Sequence, residues 1–196
     1  LGLDIGSSSI KASLINAENG TLIASASSPE TEMNIDTPKP DWAEQDPNSW
    51  WEHGKRAVSA IREKDPHAVE KIAAVGITYQ MHGLVIVDKQ GKVLRPSIIW
   101  CDSRAVKQGE KAFKEIGPDV CLKKLLNSPG NFTASKLAWV KENEPDIYKQ
   151  VYKYMLPGDY IAYRLTDRIT TTPSGLSEGI FWDVEEEGPA QFLLDY

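Results

Sequence analysis

Apolar and polar positions alternate near the start of the chain in a pattern that predicts three consecutive antiparallel strands. Leu1–Ile5 is apolar, and Ile10–Asn16 alternates between apolar and polar side chains. Gly6–Ser9 separates these two strands as a tight turn. Asn19-Gly20 is a strong hairpin signal before a third strand at Leu22–Ser27. The chain therefore opens as an antiparallel meander.

The next segment predicts a long loop followed by a helix. Residues 29–47 are rich in proline, threonine, asparagine and aspartate, which favours a loop. Asp46 can cap a helix and Pro47 suits its first position. Apolar residues at helical spacing extend this helix to about Lys64.

The remaining pattern predicts an α/β fold. Ile72–Thr78 reads as a buried apolar strand, Leu84–Val87 as another strand, and Val93–Trp100 as an extended segment. The tail from 168 to 184 is rich in threonine and serine and is expected to be extended. Helices are expected over residues 102–116, 118–126, 133–143, 145–152 and 157–165. This order favours a mixed sheet with an antiparallel hairpin at one edge and flanking helices.

Composition narrows the class of protein. The 196 residues are 41% apolar and 26% charged, which suits one globular domain with a buried core. A net charge of -6 argues against a nucleic-acid partner, and no apolar run is long enough to cross a membrane. Two cysteines without metal spacing and no visible signal peptide predict reduced thiols in a cytoplasmic protein. A start without methionine and an amphipathic end predict a piece of a longer chain.

The turn after the first strand is the first candidate site. Successive backbone N–H groups in such a turn can bind an anion, and Gly6 lets a phosphate approach closely. Asp4 can hold Mg²⁺ through water, and Lys11 can reach a phosphate. The hydroxyl groups that add donors are those of Ser7, Ser8 and Ser9. The alternative is a plain hairpin turn with an exposed aspartate; no Walker-type loop is present.

Two further segments are candidate ligand sites. Gln80-Met81-His82-Gly83 follows a predicted strand, where α/β folds place ligands, although a structural histidine is the alternative. Trp100 can stack on a sugar face, with Asp102 and Arg104 as polar clamps. Equally, Asp102 can cap the following helix. Three residues at intervals of three lie on one face of a predicted helix, namely Thr133, Lys136 and Trp139. This spacing fits packing against the core as well as contact with a ligand.

Taken together and in this order, these segments resemble the FGGY family of carbohydrate kinases. The resemblance covers essentially the whole chain. The matching segments are Leu3–Ser8, Asp41–Pro47 with Trp50 and Trp51, Gly76–Gly83, Leu94–Arg104, Phe132–Trp139 and Leu156–Thr166.

The resemblance implies a fold and a reaction. The fold is that of actin-like ATPases, related to ribonuclease H. Residues 1–196 form the N-terminal, sugar-binding domain, and a C-terminal domain of the same chain binds most of the ATP. The reaction transfers the γ-phosphoryl group of Mg-ATP to a sugar hydroxyl, so ATP and Mg²⁺ are the expected cofactors. The family's catalytic aspartate lies in a Gly-Asp-Asn stretch, which does not occur in this sequence.

The resemblance also assigns residues. Met81 and His82, flanked by Gln80 and Gly83, match the sugar loop of the family's xylulose-specific branch and imply D-xylulose as the substrate. Asp4 matches an acidic residue near the metal and phosphates. Gluconate and other pentuloses are the alternative substrates. An isolated sugar-binding module without turnover and a non-enzymatic actin-like ATPase are the alternative classes, and an exposed cleft wall predicts a possible homodimer.

Overall fold

A computed structural model describes all 196 residues as ten strands and nine helices. The strands are β1 (Gly2–Ile5), β2 (Ile10–Ile15), β3 (Leu22–Ser28), β4 (Glu44–Gln45), β5 (Gly76–Tyr79), β6 (Val85–Val87), β7 (Ser97–Ile98), β8 (Lys153–Met155), β9 (Trp182–Asp183) and β10 (Gly188–Pro189). The helices are α1 (Pro47–Lys64), α2 (Pro66–Glu70), α3 (Val106–Ile116), α4 (Pro118–Lys124), α5 (Thr133–Asn143), α6 (Pro145–Tyr148), α7 (Pro157–Thr166), α8 (Pro173–Glu178) and α9 (Gln191–Asp195).

The largest sheet has four strands in the order β3-β2-β1-β5. The first three pair antiparallel, as the meander predicts, whereas β5 pairs parallel to β1 with Asp4 opposite Thr78. The expected mixed sheet and the α/β class are therefore confirmed. Helix α1 packs across β2 and β3, and its Trp50 and Ile61 are fully buried in the largest core cluster. Asp46 caps α1 by accepting the Asn48 N–H, as predicted.

The prediction of a buried strand over residues 72–78 is wrong. Only Gly76–Tyr79 forms a strand, and its side chains are partly or largely exposed. The reason is that β5 is an edge strand, which α7 covers on one side. Val75, just before it, is 44% exposed. Apolar runs alone do not separate a buried strand from an edge strand.

Several predicted boundaries also differ from the structure. The helix expected over residues 145–152 ends at Tyr148. The helix expected from residue 102 begins at Val106, and its N-cap is Ala105. Residues 168–184 are not extended throughout, because Pro173–Glu178 forms α8. Thr172 caps this helix by accepting the Gly175 N–H. None of the nine helices is both long and apolar enough to cross a membrane.

Candidate functional site

Parallel pairing of β1 and β5 brings the first two candidate loops to one edge of the sheet. Ile5, the last residue of β1, lies opposite Tyr79, the last residue of β5. The Gln80 N–H continues the ladder by donating to the Ile5 carbonyl oxygen at 2.8 Å. The Gly6–Ser9 turn and the Gln80–Gly83 loop therefore leave the sheet side by side, at the edge where α/β sheets bind ligands.

In the Gly6–Ser9 turn, the backbone of Gly6 lies close to the backbone of Ser9. A Cβ atom at Gly6 would lie 2.9 Å from the Ser9 carbonyl oxygen, so a larger residue would open the turn. The Met33 N–H donates to the Ser8 carbonyl oxygen at 2.7 Å and fixes the turn from outside. The turn is therefore held with Ser8 exposed to solvent.

Asp4 and Lys11 lie opposite each other at the base of this turn. Lys11 Nζ is 3.7 Å from Asp4 Oδ2, and both side chains are about half exposed. No group of three or more histidine, cysteine or acidic residues in the chain is placed to hold a metal ion. A cation at this position would have one carboxylate ligand, that of Asp4. A single carboxylate suits Mg²⁺, because this ion usually keeps several water ligands and binds substrate phosphate oxygens as well.

Gln45 joins the Gly6–Ser9 turn, the Gln80–Gly83 loop and the core, and sequence reasoning did not single it out as a site residue. Its Nε2 donates to the Ser7 carbonyl oxygen at 2.7 Å. Its Oε1 accepts from Gln80 Nε2 at 3.3 Å and from Trp50 Nε1 at 3.1 Å. Gln45 is buried on the short strand β4, and the signal for it was its place in the Asp41–Pro47 segment of the family resemblance, directly before the capping Asp46.

Trp100 brings the third candidate segment to the same place. Its indole Nε1 donates to Ser7 Oγ at 3.3 Å. The ring remains 49% exposed. A half-exposed indole fixed beside a polar loop is suited to stacking on an apolar sugar face.

His82 is anchored by two charged side chains from different helices. Its backbone is left-handed, with φ at 59°. Lys136 Nζ in α5 donates to the His82 carbonyl oxygen at 2.8 Å, and Glu178 Oε1 accepts the His82 N–H at 2.5 Å. The same Glu178 oxygen lies 2.7 Å from His82 Nδ1, and the imidazole ring meets the ring of Phe132 edge-on at 4.2 Å. Sequence reasoning missed Glu178 because it lies 96 residues from His82.

Residues on either side of His82 differ in exposure. Met81 is 55% exposed at the tip of the loop. Gly83 is buried, and a Cβ atom there would lie 2.5 Å from Pro157 Cγ. The loop therefore needs glycine at this position in order to pack against the start of α7.

Lys136 is a buried cation at the junction of two segments. Besides His82, its Nζ donates to the Ile99 carbonyl oxygen at 3.0 Å. Burial lowers the pKa of Lys136 to about 8, although the nearby Asp102 opposes this shift. The side chain thus ties the Gln80–Gly83 loop to the backbone just before Trp100.

Asp102 and Arg104 lie in the core, not on the loop surface. Asp102 Oδ2 accepts from the Ala43 N–H at 2.6 Å and from Arg104 Nη2 at 2.6 Å, and both side chains are almost completely buried. Arg104 Nη1 also lies 2.7 Å from Glu44 Oε1, and its guanidinium covers the Trp42 ring at 3.7 Å. The helix-cap interpretation of Asp102 is wrong, since α3 begins at Val106 and Ala105 occupies its N-cap position. Direct contact of either residue with sugar stays a prediction.

The buried ion pairs extend beyond these two residues. Arg95 lies 2.5 Å from Glu44 through Nη2 and 2.9 Å from Glu144 through Nε. Trp139 on α5 also faces the Arg104 guanidinium at 5.0 Å. The face of α5 that carries Lys136 and Trp139 therefore contacts the Gln80–Gly83 loop and the segment around Arg104. Thr133 on the same face is also buried.

These features define an α/β domain in which the candidate anion-binding turn lies beside the polar Gln80–Gly83 loop. Residues 1–193 match the N-terminal domain of the FGGY family of carbohydrate kinases. The xylulose kinase of Escherichia coli K12 is 35% identical over 99% of this chain and 39% of its own length.

Solved structures agree with this match. A xyloylose kinase from Brucella ovis superposes with a TM-score of 0.91 at 32% identity, over 99% of this chain and 40% of that one. A gluconate kinase from Lactobacillus acidophilus gives a TM-score of 0.87 at 25% identity, over 99% and 38%. The chain belongs to the FGGY family of carbohydrate kinases, and it spans about two fifths of the length of these relatives. The expected actin-like ATPase fold is confirmed.

Proposed function

We propose that residues 1–196 are the sugar-binding domain of a kinase that phosphorylates D-xylulose with Mg-ATP to give D-xylulose 5-phosphate. The observation that carries this proposal is the position of His82, held by two charged side chains in a loop beside the Gly6–Ser9 turn. A sugar hydroxyl bound at the loop would lie on the same sheet edge as a phosphate bound at the turn. The identity of 35% to a xylulose kinase favours this sugar.

The sugar would bind to the loop and the tryptophan. In this proposal His82 and Gln80 hydrogen-bond sugar hydroxyls, Met81 contacts the carbon skeleton, and Trp100 stacks on its apolar face. Gly83 allows the loop to lie close to α7. Asp102 and Arg104 would support the site from the core, since their charged groups already satisfy one another there.

The phosphate end of the reaction would lie at the turn. Gly6, Ser7, Ser8 and Ser9 would offer N–H and hydroxyl donors to phosphate oxygens, and Lys11 would add a positive charge. Asp4 would hold Mg²⁺ through water. Bound Mg²⁺ would neutralise charge on the transferred phosphoryl group.

Transfer also needs a base to accept the proton of the attacking hydroxyl. No residue of this chain lies in a Gly-Asp-Asn stretch, so the base is proposed to come from a second domain of the same protein. That domain would also bind most of the ATP, and closure of the two domains would exclude water. Residues 1–196 alone are then expected to bind sugar without turnover.

The test is calorimetric titration of the full-length protein with D-xylulose, D-gluconate and L-ribulose, together with a kinase assay on each sugar. We expect D-xylulose to bind and react in preference to the other two sugars. His82→Ala should weaken xylulose binding by about 10- to 100-fold, because a hydrogen bond to a fixed polar group is lost. His67→Ala is the matched control, because the His67 side chain is 90% exposed.

A preference for another sugar would contradict the substrate proposal and leave family membership untouched. Gluconate is the second candidate, because a gluconate kinase superposes on this chain with a TM-score of 0.87. Failure to phosphorylate any sugar would contradict the kinase proposal itself. The predicted homodimer and cytoplasmic location stay predictions.

A further inference from the structure

Glu178 makes two contacts with His82, one with its backbone and one with its ring. One carboxylate oxygen, Oε1, accepts the His82 backbone N–H at 2.5 Å and lies 2.7 Å from the ring nitrogen Nδ1. The second contact is off the ideal hydrogen-bond direction, although the distance is short. Both residues are about three-quarters buried, so water screens this pair only in part.

The short distance favours a hydrogen on the ring nitrogen Nδ1. A carboxylate oxygen has only lone pairs, and a second lone pair on Nδ1 at 2.7 Å would repel it. A hydrogen on Nδ1 removes this repulsion. In the neutral ring, Nε2 is then the acceptor. Nε2 has no partner in the protein and, unlike Nδ1, is not shut off from solvent.

The backbone at His82 also depends on Glu178. A φ of 59° is unfavourable for a residue with a side chain. Lys136 holds the carbonyl side of this residue and Glu178 holds its N–H side. Opposite charges on two helices therefore fix one residue in a conformation that the loop alone would not keep.

We propose that Glu178 is a positioning residue for the sugar site, which holds the His82 ring with hydrogen on Nδ1 so that Nε2 accepts a hydrogen bond from a sugar hydroxyl. This inference rests on the proposed function, in which His82 contacts the sugar. Glu178 itself does not contact the sugar. Its effect on affinity therefore passes entirely through His82.

A double-mutant cycle on the full-length protein tests this dependence. Glu178→Ala should raise the KM for sugar about tenfold, with kcat and the KM for ATP nearly unchanged. Glu178→Gln should recover most of the affinity, because an amide oxygen still accepts from both His82 N–H groups. In a His82→Ala background the ring contact is gone, so Glu178→Ala should have a much smaller effect, limited to the hydrogen bond that Glu178 keeps to the backbone N–H of residue 82. Should Glu178→Ala not fold, Glu178→Met takes its place, since it keeps the bulk of the side chain without an acceptor.

Several outcomes would overturn the inference. If the fold-changes in sugar KM of the two single variants multiply in the double variant, Glu178 acts independently of His82. A loss in kcat or in ATP affinity without a change in the sugar KM would show a general structural role. The control is Glu110→Ala on α3, an exposed residue without ion-pair or hydrogen-bond partners, which should leave the sugar KM unchanged.

Nitrogen NMR of histidine-labelled full-length protein gives a readout that needs no sugar. The shifts of the two ring nitrogens, recorded at pH 8, distinguish the two neutral forms of an imidazole ring. The His82 signals, identified by their loss in His82→Asn, should show hydrogen on Nδ1 in the native protein and a shift toward the Nε2–H form in Glu178→Ala. Unchanged signals would contradict the inference even if the kinase proposal holds. An inactive native protein with the expected signals would contradict the kinase proposal alone.

Discussion

Gln45 Nε2 donates to the carbonyl oxygen of Ser7 at 2.7 Å, and this hydrogen bond links the turn after β1 to the segment that starts α1. The same amide nitrogen also donates to the Asn34 carbonyl oxygen at 3.1 Å. The side-chain oxygen accepts from Trp50 and Gln80. All hydrogen-bonding groups of one buried amide are therefore used to hold the candidate phosphate turn and sugar loop together.

Gln45→Glu is expected to destabilise the protein by about 2 to 3 kcal/mol. The substitution keeps the shape of the side chain but replaces its donor with an oxygen, so that two carbonyl oxygens would face a buried carboxylate. Urea unfolding would measure the loss. Gln150→Glu is the matched control, because Gln150 is exposed, and it should change the free energy of unfolding by no more than about 0.5 kcal/mol. Equal effects of the two substitutions would contradict this prediction.

Gly158→Ala is expected to destabilise the protein by about 1 to 3 kcal/mol through overpacking. A Cβ atom at Gly158 would lie 2.0 Å from Tyr79 Cδ1, and Tyr79 directly precedes the Gln80–Gly83 loop. The clash outweighs the gain in helix propensity of about 1 kcal/mol. Gly76→Ala, on the same strand as Tyr79, meets nothing within 4 Å and should be nearly neutral in urea unfolding. A stabilising Gly158→Ala would show that Tyr79 can move freely.

Asp102→Ala is expected to lower the free energy of unfolding by about 3 to 5 kcal/mol, as is usual when one member of a buried ion pair is removed. Arg104 would keep only Glu44 as an ionic partner, and the Ala43 N–H would lose its acceptor. Asp119→Ala on exposed α4 should cost no more than about 1 kcal/mol. An Asp102 variant of native stability that has lost sugar affinity would instead support direct contact with sugar.

Local sequence signals predicted the elements with clear boundaries. Asp46-Pro47 predicted the start of α1, the helical spacing of apolar residues predicted its end near Lys64, and Asn19-Gly20 predicted the hairpin between β2 and β3. The two candidate loops were also correctly placed beside strands of one sheet. These features depend on residues close in sequence, where capping and turn chemistry act directly.

Contacts between distant residues could not be predicted in the same way. Charged side chains are rarely buried unless they are paired, and the partners of Arg104 include Glu44, 60 residues away. Nothing near Glu178 indicates that it meets His82. Helix α8 is different, because the Thr172-Pro173 pair is a recognisable start signal inside a segment that was read as extended.

Lys136 is expected to make the stability of the domain rise with pH above about 8. Burial lowers the pKa of Lys136 to about 8, against 10.5 when the side chain is exposed. Between these two values the unfolded chain binds more protons than the folded one, so the free energy of unfolding increases with pH across this window. The neutral amine still has two hydrogens for the carbonyl oxygens of His82 and Ile99.

Urea unfolding of the native protein and of Lys136→Met at pH 7, 8, 9 and 10 would measure this contribution. The difference in free energy of unfolding, native minus variant, should grow by an amount on the order of 2 kcal/mol from pH 7 to pH 10. Lys107→Met removes the same charge from an exposed position on α3, and its curve should stay parallel to the native one. Parallel curves for Lys136→Met as well would mean that this lysine keeps an ordinary pKa in the folded protein. In that case the buried amine would be fully charged when it holds the His82 loop.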